Sequence, residues 1–180
     1  MKEKGFSIKK LVYASICLAL CLVLPFLTGQ MQQLGNALCP MHIPVLLCGF
    51  LCGAYYAAAV GAVAPLLRFA LFGMPPIFPI GTAMCFELLA YGLIAGILYK
   101  RLPQKTINIY VSLLGAMLGG RLVWGIVRFA MALFFHVEFS LSMFVAGAFV
   151  TAVPGIICHI VLIPIIVMAL EKAGFTIKEK

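Results

Sequence analysis

Aspartate is absent from the sequence, and glutamate occurs only five times. Glu3, Glu171 and Glu179 lie near the chain ends and Glu138 lies in the polar stretch HVEFS, so Glu87 is the one carboxylate inside a long apolar segment. A catalytic pair of buried carboxylates is thereby excluded. A glycine-rich phosphate loop, GxSxG and HExxH are missing too, so no nucleotide-hydrolysing engine resides in this chain. If the protein moves a solute actively, the energy comes from a partner, and no cofactor of its own is expected. The seven cysteines are odd in number, and all but Cys39 fall in apolar segments. They read as small packing residues without a disulfide framework. Cys48 and Cys52 share a helix face, but the sequence places no further ligands beside them, so no metal is expected.

What is present is apolar. Hydrophobic residues make up 64% of the 180, charged residues only 10%, and the mean hydropathy is +1.16. A soluble domain of this length cannot hide so much apolar surface, so lipid takes the place of solvent. The expected fold class is an all-α integral membrane protein, a single membrane domain over residues 1–180 with six transmembrane helices. A span needs about 20 mainly apolar residues. The expected spans are approximately 11–28, 43–53, 54–73, 80–99, 107–134 and 141–170, the second being short; two re-entrant segments around 41–53 are the alternative to a true second span. The first run follows the basic start KEKGFSIKK but is long for a signal core and offers no small-x-small cleavage site, so it reads as a span.

Cations set the direction. Lys2, Lys4, Lys9 and Lys10 precede the first span, Lys100, Arg101 and Lys105 fill the loop after the fourth, and Lys172, Lys178 and Lys180 follow the sixth. Six spans put all ten on one side, which makes both termini cytoplasmic and the protein a multi-pass component of the cell membrane. The formal charge of +8 is a topology signal, and nothing points to nucleic acid.

Three cations remain, Arg68, Arg121 and Arg128, and all lie within spans. Charge at mid-bilayer costs roughly 3 kcal/mol per residue on insertion scales. With Glu87 alone to balance them, about two positive charges are left over, which bracing between helices does not explain. A polar cavity facing outward does. Arg68 falls about a turn from the outer end of the third span, and Arg128 in the outer half of the fifth. Arg121 lies almost two turns deeper on the same face, where bracing is its expected role, and Trp124 lies close to that face. The outer loop GQMQQLGNALCPMHIP supplies Gln33, Asn36 and His42 as lid or mouth residues for a small polar solute. His159 reads as a hydrogen-bonded core histidine.

The run MHIPVLLCGFLCGAYYAAAVGAVAPLLRFALFGMPPIFP leading into FELLAYGLIAGILY, with six spans in under 200 residues and a long outer loop after the first, resembles the substrate-binding S component of energy-coupling factor (ECF) transporters for vitamins. The resemblance covers nearly the whole chain and is strongest over residues 40–99. It implies an ECF S-component-like bundle that binds a vitamin from outside. It also implies docking on a transmembrane T component carrying two cytoplasmic ATPase subunits, which hydrolyse the ATP. Small residues on the first span contact the T component in such proteins, and Ser15 with Ala19 supplies a small-xxx-small pair. The ligand lies beneath the first outer loop, which points to Arg68, Glu87, Trp124, Arg128, His42, Gln33 and Asn36 as substrate-binding residues. A cationic cavity favours a carboxylate-bearing vitamin, such as pantothenate or nicotinate, over cationic thiamine. The nickel and cobalt branch uses a free amino-terminal Met-His, whereas Met41-His42 is internal.

Two other classes compete. A partner-independent secondary carrier fits six spans, although no inverted repeat is evident. A non-transport scaffold explains the Gly/Ala packing but not the arginines. An intramembrane enzyme would need Cys158 and His159 to cooperate, yet adjacent residues point about 100° apart on a helix.

Overall fold

The computed structural model describes residues 7–28, 35, 37–103 and 105–175, and among these every regular element is helical. Helix α1 spans Ile8–Val23 and tightens into a 3-10 turn at Leu24–Thr28. Pro25 causes the change, because it has no N–H to give and its ring crowds the carbonyl four residues earlier. Helix α2 is His42–Cys52 and α3 is Ala54–Phe72. Between them Gly53 has φ +90° and ψ 175°, a backbone conformation that glycine alone adopts without strain. A wide turn over Ile77–Gly81, kinked at Phe78 with φ −116° and ψ 134°, leads into α4, Thr82–Arg101. Helix α5, Thr106–Phe135, is the longest at 30 residues. The short α6, Leu141–Val145, starts where Ser140 Oγ accepts from the Met143 N–H. It continues through a second wide turn, Ala146–Val150, toward α7, Val153–Lys172.

Five stretches are long and apolar enough to cross a membrane: Ile8–Leu27, Ala54–Phe72, Ile77–Arg101, Thr106–Phe135 and Leu141–Lys172. The protein is thus a multi-pass membrane protein. The segment expected as a second span behaves differently. With 11 residues, α2 is about 16 Å long, roughly half of a bilayer core. Nine of those 11 residues are buried, because α1, α3, α4 and α7 all pack against it. A helix enclosed by protein does not need a lipid-matched length. The segment expected as one span over 141–170 is likewise two helices joined by a wide turn.

The closest packing is between α3 and α4. A Cβ on Gly92 would lie 2.6 Å from the Ala57 carbonyl, and one on Gly61 or Gly96 would strike the backbone of Leu88 or Ala54. Small residues therefore set this helix separation, as expected where helices associate without a hydrophobic driving force. Around the seam Leu46, Leu88, Tyr91, Leu113 and Ile163 form the fully buried core. By contrast Leu118, Leu122, Ile126 and Leu133 leave one side of α5 exposed and wholly apolar, a surface suited to lipid.

Successive helices run up and down, so the start of α1, the end of α7, the Cys52–Ala54 junction and the α4–α5 connection share one end of the bundle. There Tyr99 donates to Glu171 and ties α4 to α7. The opposite end holds the cavity.

Candidate functional site

A cavity of about 360 Å³ opens at that opposite end, with walls drawn from the whole bundle. Pro25 comes from the turn after α1, Cys39 to His42 from the approach to α2, and Arg68 from the last turns of α3. Met84 and Glu87 come from α4, Arg121, Trp124 and Arg128 from α5, and Gly147 with Thr151 from the broken last segment. The spacing of Arg121, Trp124 and Arg128 explains their shared orientation, since steps of three and four residues return to one helix face. Most of the remaining lining is apolar, with Met41, Met74 and Ile80 among it. A mainly apolar pocket with a few convergent polar groups is the usual form of a small-molecule site.

The polar floor is built around Glu87, which is 2% exposed. Arg121 Nη1 donates to Glu87 Oε1 at 2.8 Å, and His42 Nε2 lies 3.3 Å from the same oxygen. Arg121 Nη2 also reaches Cys39 Sγ at 3.3 Å. Both cationic fingers of Arg121 are therefore engaged, and its charge is balanced. His42 packs edge-on to Tyr91 at 4.8 Å between ring centroids and stacks on His159 at 6.1 Å. His159 is buried behind the cavity wall rather than in it.

Arg68 is held differently. Its Nη1 donates to the Leu22 carbonyl at 2.6 Å, and its guanidinium lies 5.2 Å from the Phe26 ring and 5.4 Å from Phe72. The 3-10 turn at Pro25 draws this carbonyl out of regular α-helical bonding, and Arg68 satisfies it. Arg68 lines the cavity and also braces α3 to the end of α1.

Arg128 has neither a carboxylate nor a carbonyl partner among the described residues. Its guanidinium rests 4.9 Å from the Phe139 ring, and its buried Nε and Nη1 have no hydrogen-bond partner among the described residues. Trp124, one turn deeper, packs edge-on to Phe139 at 5.5 Å and stacks on Phe144 at 6.0 Å. Trp124 lines the cavity between the two arginines, with Phe139 and Phe144 packed against it.

Of the residues that the sequence singles out, Arg68, Glu87, Trp124, Arg128 and His42 all line this one cavity; Gln33 and Asn36 lie outside the described residues. Sequence reasoning did not place Cys39 or the methionines in the wall. A methionine among many apolar residues carries no signal of its own, and Cys39 gains its place only through the backbone at φ 46°. Among the described residues no group of three or more His, Cys, Asp or Glu is arranged to hold a metal ion. On α1, Ser15 and Ala19 are exposed, while Ala14, Cys17 and Cys21 face the core.

The family model for the substrate-specific component of ECF transporters matches residues 9–170. The chain belongs to that family. Its members are substrate-binding parts of a transport machine rather than enzymes, and they work with a T component and ATPases. No curated protein and no solved structure matches the chain.

Proposed function

We propose that this chain captures a small, water-soluble vitamin carrying a carboxylate, such as pantothenate or nicotinate, for ATP-driven uptake. In this reading there are six membrane segments with both termini cytoplasmic, the cavity opens outward, and the T component with two cytoplasmic ATPase subunits completes the importer. The Lys and Arg residues at the opposite end of the bundle support the orientation, since Lys100, Arg101, Lys105 and Lys172 are exposed there.

The observation that carries the substrate reading is the state of Arg128. Glu87 is committed to Arg121, and Arg68 to a carbonyl and two rings. Arg128, which unlike Arg121 faces no carboxylate, keeps two buried donors without partners among the described residues, at the wall of a cavity. An anion supplies what those donors lack, and the planar guanidinium suits a carboxylate.

A charge-assisted hydrogen bond is worth roughly 1.5–3 kcal/mol, or about ten- to a hundredfold in affinity. Arg128→Gln should weaken binding of the acid to the purified protein by that order, while an uncharged amide analogue of the substrate should lose little further. Arg128→Lys should restore binding only in part. Normal binding by a poorly expressed Arg128→Gln protein would make Arg128 a helix brace and refute the assignment.

A further inference from the structure

The cavity has two polar poles of unlike character. Arg121 and Arg128 are seven residues apart on α5, which sets their backbones about 10 Å apart along the helix axis at about 1.5 Å per residue. Trp124 lies between them on the cavity wall. The outer pole, Arg128, carries net positive charge. The inner pole is already neutralised, because Glu87 faces Arg121 at 2.8 Å. A second anion at the inner pole would meet that carboxylate.

The inner pole nevertheless has open hydrogen-bonding capacity. His42 is 3% exposed and lines the cavity, and neither ring nitrogen has a well-formed hydrogen bond among the described residues. Its Nε2 is the nitrogen nearer the Glu87 carboxylate, at 3.3 Å, which assigns the ring proton to Nε2 and leaves Nδ1 as an acceptor. Arg121 Nε is a buried donor without a partner among the described residues. Both side chains converge on Glu87 Oε1 and line the cavity, so the inner pole holds an acceptor on His42 and a donor on Arg121. A neutral group that both donates and accepts, such as an amide or a hydroxyl, complements such a pair. An apolar group placed there leaves those buried polar atoms unmatched, which disfavours its binding.

Resting on the carboxylate reading above, we infer that the substrate is an elongated monoanion. Its carboxylate meets Arg128, an apolar middle lies along Trp124 and the methionines, and a neutral N–H- or O–H-bearing group reaches His42 and Arg121. His42 is then a specificity residue that rejects acids with an apolar far end.

Linear monocarboxylates of increasing chain length, each made with a terminal carboxamide and with the isosteric terminal isopropyl group, test this on the purified native protein by competition or calorimetry. At an intermediate chain length the carboxamide should bind about three- to tenfold more tightly than its isopropyl partner, the value of a neutral hydrogen bond. Shorter chains should show no such preference. In His42→Phe the preference, read as the ratio of the two affinities in that same variant, should vanish; a thermal melt verifies that the variant folds, and the native comparison stands without it. Acids that bind through Arg128 with no carboxamide preference at any length would overturn the inner pole and leave the carboxylate reading intact. If no member of either series binds, or if binding is unchanged in Arg128→Gln, the carboxylate reading itself fails and this inference falls with it.

Discussion

At the scale of single residues, three arginines that line one cavity are in three different states. Arg121 is paired with a carboxylate, Arg68 is spread over a carbonyl and two aromatic faces, and Arg128 touches only the Phe139 ring among these groups. The Glu87–Arg121 pair lies in a poorly solvated setting, where removing one partner is more damaging than removing both. Glu87→Gln should therefore lower stability by about 3 kcal/mol, read as a depressed thermal midpoint in detergent. Adding Arg121→Gln should restore at least half of the loss. A Glu87→Gln protein as stable as the parent would show that the pair contributes nothing.

The residue scale is also where the sequence was most and least informative. A lone carboxylate and three arginines inside apolar runs are conspicuous, because each violates the rule that lipid-embedded segments are uncharged. The pairing of Glu87 with Arg121 rather than Arg128 was legible only as depth along α5. Cys39 against Arg121, and Leu22 against Arg68, were not legible at all, since both contacts depend on irregular backbone outside or at the ends of helices.

At the scale of elements, hydropathy marks the apolar stretches but not the shape of the helices within them. The expected 43–53 segment and the observed His42–Cys52 agree closely, yet nothing in a hydropathy profile distinguishes a short helix enclosed by neighbours from a crossing one. The break at Ala146–Val150 was equally hidden, because a wide turn among apolar residues leaves the mean hydropathy unchanged. That break matters for function, since Gly147 and Thr151 line the cavity there.

Helix α1 carries a separate element-scale consequence. Its Cys17 and Cys21 face is buried, while Ser15 and Ala19 lie on an exposed face free of the core. Ser15 spends its hydroxyl on the Leu11 carbonyl at 2.9 Å, leaving a small side chain on the surface. Such a strip permits close approach of another membrane helix. Ser15→Trp and Ala19→Trp should each cut uptake several-fold in cells carrying the full importer, with substrate binding by the purified chain unchanged. Loss of binding in parallel with uptake would place these residues in the fold rather than at a partner contact.

At the scale of the whole molecule, the chain is a substrate-specific component of the ECF transporter family. It has one cavity end and one cation-rich end, a sequence without nucleotide-binding motifs, and membership in a family of substrate-specific transporter components. In the proposed reading its role separates into capture by this chain and movement driven from elsewhere. The most direct test is accumulation of a labelled carboxylate vitamin in cells expressing this chain with and without the T component and ATPases, beside ATP-free binding to the purified protein. The expected result is binding by the chain alone and accumulation only with the complete set. Accumulation by the chain alone, collapsing when an ionophore dissipates the membrane gradients, would make it a secondary carrier and contradict the proposed division of labour.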